Sequence, residues 1–237
     1  MLIGTVVDAA SQRADPISPG KIVVIYGGGL GPDQLVQNQA SNGQFGTELS
    51  GTKVSFNGTA APILYASAMQ VAVVVPYGVT GTSAQVTVTY QGQLSNAVTV
   101  PVSSSAPSLF TLNQTGAGQA AAINADGTAN TAAKPVKIGG FISLYATGEG
   151  QTSPGGVDGK VGGSTPVHPV LPVSVTVGGI PATVQYFGSL QGQVAGLMQV
   201  NVQIPNGVQP GGYVPVVLKV GDASTTDGAV WIAVAGN

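Results

Sequence analysis

The segment Met198–Val208 reads Met-Gln-Val-Asn-Val-Gln-Ile-Pro-Asn-Gly-Val. It has an echo 129 residues upstream at Met69–Val79, which reads Met-Gln-Val-Ala-Val-Val-Val-Pro-Tyr-Gly-Val. A strand-forming run, its stopping proline and a glycine turn recur in one order, so the chain holds two copies of one structural unit. Further echoes extend the pair. Phe141–Tyr145 matches Ile22–Tyr26, and Gly148 and Gly150 match Gly29 and Gly31. Val173–Val177 with Gly178-Gly179 matches the arm Lys53–Gly58. Pro181–Tyr186 matches Ala61–Tyr65, and the lead-in Ile123-Asn124-Ala125 matches Val7-Asp8-Ala9. The offset grows from 116 at the lead-in to 129 at the repeated motif, so the second copy carries insertions. The largest is Phe187–Leu197, which stands where the first copy has Ala66–Ala68.

Each copy divides into about seven short runs rich in Val, Ile and Thr, separated by turn signals such as Asn57-Gly58 and Gln91-Gly92. That spacing predicts an all-β chain of two tandem immunoglobulin-like sandwiches. The first spans residues 1–105 and includes an N-terminal strand. The second spans 106–237 and begins with a bridging hairpin that turns at Ala125-Asp126-Gly127. Ser103–Pro107 reads as a short polar linker. The 36 glycines and 16 prolines agree with many turns and argue against long helices.

Charged residues make up 7% of the chain, against roughly 25% in average globular proteins. The net charge of −2 and seven scattered basic residues exclude a phosphate-binding footprint, so no nucleic-acid partner is expected. Apolar runs are far too short for membrane insertion as a helix. There is no cysteine, hence no disulfide framework and no thiolate metal site.

The repeated strand, the Gly-x-Gly turn and the Met-Gln-Val-x-Val-x-(Val/Ile)-Pro-x-Gly-Val motif resemble the IPT/TIG branch of immunoglobulin-like folds. Ile22–Gly31, Gly58–Tyr65, Gln70–Pro76, Gly118–Ala125, Val173–Tyr186 and Met198–Val208 together resemble an uncharacterised family of C-terminal domains in secreted acidobacterial proteins, the Solibacter-type domain. The resemblance implies an extracytoplasmic β-rich module and supplies no catalytic residues. Glu149 departs from the pattern, because the first copy has Leu30 there.

Few residues suggest chemistry. His168 is the only histidine, flanked by prolines, and reads as an exposed loop residue. One imidazole without cysteine cannot complete a four-ligand zinc site. The carboxylates are dispersed, and Asp158, Asp222 and Asp227 read as turn residues. Glu149 reads as a local substitution in a shared turn. Gly27–Gly31 lacks the following helix that a phosphate loop needs. Gln70 and Gln199 read as caps at strand ends. Asn57 and Asn113 fit glycosylation triplets, but Asn57-Gly58 is already explained as a turn.

The expectation is therefore a non-enzymatic module without cofactors or metal, placed outside the cell or on its surface as part of a secreted chain. It would act through contacts with itself or other surface proteins. Leu2, Ile3, Val6 and Val7 are the candidate self-association strand, added to the chain's own sheet edge or to a neighbour's in filament assembly. A carbohydrate or cell-surface ligand is the alternative partner. Phe187, Leu190, Gln191 and Gln193 are the candidate binding loop, together with the polar stretch 33–52. An accessory role beside a missing enzyme is a further alternative.

Overall fold

The computed structural model describes residues 1–236, and every regular element in it is a strand. In the first unit a five-stranded sheet runs in the order Leu2–Asp8, Ile22–Gly28, Gln70–Val74, Ile63–Ala66, Val36–Gln37. It faces a second sheet built on Thr52–Phe56 and Ser83–Tyr90, with Val98–Pro101 along one side. Val23, Ile25, Val71 and Val73 point inward from the first sheet and meet Val54, Phe56, Val86 and Val88 from the other. This period-2 burial is what alternating strands on a sandwich require. Asn57 and Gly58 both take positive φ, 50° and 82°, as a tight hairpin turn demands.

The second unit repeats this plan in the same register. Tyr26 pairs with Gln70 and Ile22 with Val74; Tyr145 pairs with Gln199 and Phe141 with Gln203. The central strands of both copies therefore pair in the same register along the echoed motifs. The sheet arrangement differs. Ile180–Ser189 is one long strand that pairs with Val173–Val177 at its start and with Met198–Gln203 at its end. A register shift between Val184 and Tyr186 lets it pass from one layer to the other, which joins the layers into a single 11-stranded sheet. In the first copy, Ala61 and Pro62 interrupt the equivalent strand. The chain is all-β, with tandem immunoglobulin-like sandwiches.

Two sequence readings change here. The stretch 33–52 is not an unstructured loop: Val36–Gln37 and Glu48–Leu49 add short strands to the two sheets. The serines at 103–105 do not form a loose linker. Ser105 is buried and its Oγ donates to Val220 O at 2.7 Å, while Ala106 N donates to Gly148 O at 2.9 Å.

A buried ion pair anchors the start of the first sandwich. Lys21 Nζ lies 2.6 Å from Asp8 Oδ2, with side chains 1% and 0% exposed. Lys21 also donates to Pro16 O, and Asp8 Oδ1 accepts from the backbone N–H groups of Ala10 and Ser11. One carboxylate thus closes the turn after the first strand and neutralises the only cation in the core of that sandwich. Removing one partner strands the other charge in a low dielectric, at a cost of about 3–5 kcal/mol. Asp8→Ala is expected to lower unfolding free energy by that amount in urea titrations. The apolar double substitution Asp8→Leu with Lys21→Met is expected to cost markedly less. Equal losses in both would contradict this role for the pair.

Candidate functional site

The strands Ile22–Gly28 and Gln70–Val74 are apolar on both faces, although a sandwich sheet needs only one apolar face. The outward side chains explain why. Val24 and Ala72 pack against Val7, with Ala9, Tyr26, Leu64 and Tyr65 around them. Ile22 and Val74 pack against Val194 of the second unit, with Phe45, Leu64 and Leu197 at the margin. Ile22 N donates to Thr147 Oγ1 at 2.9 Å. The outer face of the first sandwich is thus the floor of a seam with the second.

The insertion Phe187–Leu197 supplies the other side of this seam. Val194 is buried on the first sandwich, and Gly196 lies against the carbonyl of Gly20, where any Cβ would collide. The candidate binding residues are divided by this packing. Phe187 is half-buried against the second core and Leu190 is half-buried beside Gly162. Gln191 and Gln193 are exposed, but the Gln193 carbonyl is held by Gly162 N at 2.8 Å. Loop 154–163 continues the seam. Phe45 N donates to Gly159 O and Val161 N to Gly43 O, each at 2.8 Å, and Gln44 Nε2 donates to Asp158 O at 2.7 Å.

Tyr77 is the residue that the seam closes around. It follows the stopping proline of the first copy of the motif. Its N–H donates to Asp158 Oδ1 at 2.7 Å, and its carbonyl accepts from Gln151 Nε2 at 2.7 Å. Its ring lies between Gly20 of its own sandwich and Gly156 of the other, and a Cβ on either glycine would strike it. Asp158 is therefore more than a turn residue: it binds across the seam.

Glu149 lies beside this tyrosine. It is 2% exposed, and its Oε2 has no hydrogen-bond partner among the described residues. Burial pushes its carboxyl up to about 8. Burial also raises the Tyr77 phenol, with smaller contributions from the charges of Glu149 and Asp158. The Tyr186 phenol is raised by desolvation and, to a smaller degree, by the charge of Glu149, while the Ser189 side chain acts the other way; the phenol O–H donates to Ser189 O at 2.6 Å. Tyr77 and Glu149 line a cavity of about 280 Å³ roofed by the glycine-rich loop 154–163. The reading of Glu149 as a tolerated turn substitution is corrected. The repeat places it where the first copy has fully buried Leu30, so it inherits a buried position. His168 is likewise not an exposed loop residue. It is half-buried, its Nδ1 lies 2.6 Å from Phe187 O, and its ring meets Tyr186 and Phe187 edge-on. At the strand starts, Ser67 rather than Gln70 does the capping, with its Oγ accepting from Gln70 N. The Gln199 amide donates to Asn201 Oδ1.

The N-terminal strand pairs with Ile22–Gly28 of its own sandwich. Ile3, Val6 and Val7 are buried there, and Leu2 is 60% exposed. The outer edge is closed at one point by Asn96, whose Oδ1 accepts from Ile3 N at 2.7 Å and whose Nδ2 donates to Ile3 O at 3.2 Å.

Residues 7–106 match the IPT/TIG domain family. Among solved structures, the Bacteroides ovatus mixed-linkage glucan utilization locus protein SGBP-B, in complex with a mixed-linkage heptasaccharide, is 14% identical. The match covers 97% of this chain and 47% of that one, with a TM-score of 0.39. The plexin A4 extracellular region, domains 1 to 8, is 13% identical over 98% of this chain, with a TM-score of 0.33; this chain spans only 18% of its length. Domains 5–6 of the S-layer protein SbsC are 13% identical over 100% of this chain and 98% of that one, with a TM-score of 0.30. No curated protein matches the chain by sequence.

The state of Glu149 makes stability depend on pH. Its folded value, about 8, lies above the ordinary 4.5, so between those limits the folded protein holds a proton that the unfolded chain has released. Stability from this group is therefore full below pH 4.5, falls as pH rises, and levels off above about 8. At about 1.4 kcal/mol per pH unit the loss is roughly 5 kcal/mol. Urea unfolding across this range is expected to show that decline, and Glu149→Leu is expected to flatten it. Wild-type stability that does not fall from pH 5 to 8, or that falls equally in Glu149→Leu, would contradict the assignment.

Proposed function

We propose that the chain is a non-catalytic two-sandwich module of an extracellular or cell-surface protein, acting through protein–protein contacts. The observation that carries this reading is the seam. Asp158, Gln151, Thr147, the 41–46 loop and the Phe187–Leu197 insertion are spent on fixing one sandwich to the other. Apart from Glu149, the polar side chains along the seam serve architecture, as Asp8 and Lys21 do within the first unit. The echoed motifs extend the likeness of residues 7–106 into the second half, in keeping with the Solibacter-type domain that the whole chain resembles.

The contact surface favoured by this reading is the outer edge of the N-terminal strand. Exposed Leu2 lies beside the closed Ile3, and Leu94, 67% exposed, lies two residues from the Asn96 that closes it. Unpaired strand edges add strands from other chains, and a side chain that occupies the edge prevents this. Self-association, including filament growth, would therefore proceed by displacing Asn96, with the N-terminal strand kept in its own sheet. Sedimentation velocity on the wild type, Asn96→Ala and Asn96→Ala with Leu2→Lys tests this directly. The first substitution is expected to shift the protein to larger species and the second to reverse the shift. Monomers in all three proteins at high concentration would refute the edge as the contact surface.

One observation favours a carbohydrate partner as a second reading. Tyr213, 78% exposed, meets Trp231 edge-on at 5.5 Å on the outer face of the second sandwich. An open aromatic pair offers an apolar surface to sugar rings. A glycan array probed with wild type and Tyr213→Ala separates the two readings: binding lost in the variant supports the second, and no binding by the wild type removes it.

A further inference from the structure

The cavity beneath loop 154–163 has the features of a built site that the structural role of the seam leaves unexplained. Its floor holds one carboxyl, Glu149, which is 2% exposed and whose Oε2 has no hydrogen-bond partner among the described residues. Its walls include Val157, Val167, Ala195 and Tyr77. The volume, about 280 Å³, admits a small organic molecule.

The groups around Glu149 are acidic or electron-rich. Tyr77 faces it from the first sandwich and Tyr186 from the second; the Asp158 carboxylate, on the other side of Tyr77, is already engaged by Tyr77 N. His168 stands behind Tyr186, with its Nδ1 held at Phe187 O. Lys160 is the one cation lining the cavity; it is exposed, and no ion pair joins it to Glu149 among the described residues. A buried carboxyl in such surroundings gains most from a ligand that brings positive charge and several N–H donors. An apolar wall beside it suits a short hydrocarbon stem.

We propose that this cavity binds a small aliphatic primary amine as its ammonium ion, with Glu149 as the counter-ion and the Val157, Val167 and Ala195 wall around the hydrocarbon stem. Binding ionises Glu149, so the proton it carries at neutral pH is released to solvent as the ammonium enters. Affinity therefore rises with pH through about 8, levels off above it once Glu149 is ionised in the free protein, and falls when the amine itself loses its proton. The inference is independent of whether the sandwich edges or faces bind other chains.

The test exploits the glutamate count. The chain has two glutamates, Glu48 and Glu149, so protein labelled at the glutamate side-chain carboxyl carbon gives two resonances that can be followed by pH titration. Glu48 is exposed and serves as the internal control. n-Butylamine is expected to lower the midpoint of the Glu149 resonance by about one to three pH units and to leave Glu48 in place. n-Butanol, with the same stem and no charge, is expected to leave both unmoved. Calorimetry at pH 8 is expected to show saturable n-butylamine binding that Glu149→Gln abolishes. A Glu149 midpoint that ignores the amine, an equal response to the alcohol, or saturable binding that survives in Glu149→Gln would each overturn the proposal. The titration uses the wild type, so it decides the matter even where the variant folds poorly.

Discussion

The first sandwich has a sheet with two apolar faces, and the arrangement of the second follows from that. Val71 and Val73 face inward, while Ala72 and Val74 face outward on the same strand. An outward face carrying Ile22 and Val74 is unfavourable in water, at roughly 1.5–3 kcal/mol for each large aliphatic side chain left exposed. Covering it requires a second surface of matching shape, which the Phe187–Leu197 insertion provides through Val194 and Leu197. Once the faces meet, the polar groups along the margin must find partners. The bonds from Thr147, Gln151, Asp158 and Gln44 are how they do so. The glycines at 20, 156 and 196 are explained by the same closeness, since a side chain at any of them would collide across the seam or with Tyr77.

Within this seam Glu149 is an exception to the rule that buried charge is paired. Its counterpart Leu30 fills the same turn with hydrocarbon and is fully buried. The carboxyl costs stability when ionised, and the neighbouring tyrosines offer its Oε2 no hydrogen bond. A group retained at such a cost beside a cavity is the kind of local inconsistency that marks a functional position. Asp8, by contrast, is buried as an ion pair, with Lys21 Nζ 2.6 Å from its Oδ2 and two backbone N–H groups on its Oδ1, and belongs to the scaffold.

The repeat made the fold legible. A five- or six-residue run with a stopping proline, used twice with its partner strand at matching offsets, leaves little freedom in strand pairing, and Tyr26–Gln70 and Tyr145–Gln199 pair alike. The seam was written in the same comparison, in the positions that differ. Ala72 and Val74 of the first copy stand opposite Asn201 and Gln203 of the second, and Val24 opposite Ser143. A polar outer face faces water and an apolar one is covered, so the copies already state which of them is docked upon. The insertion was visible, but loop length alone does not say what a loop packs against. The Leu30-to-Glu149 exchange was visible too. Its burial follows from the shared core position, whereas a turn reading considers only the local chain. The Asp8–Lys21 pair left no signal, because a lysine opening an apolar strand looks like any strand-end charge until the return of the chain places it over the carboxylate.

The central claim is that apolar docking and the Tyr77 contacts make the two sandwiches one body. Residual dipolar couplings of the backbone amides in a dilute aligned medium test it most directly, because each rigid body reports its own alignment. One alignment tensor fitting both sandwiches, in the orientation described here, is the predicted result. Two tensors of different magnitude would show the sandwiches moving independently and would contradict the account.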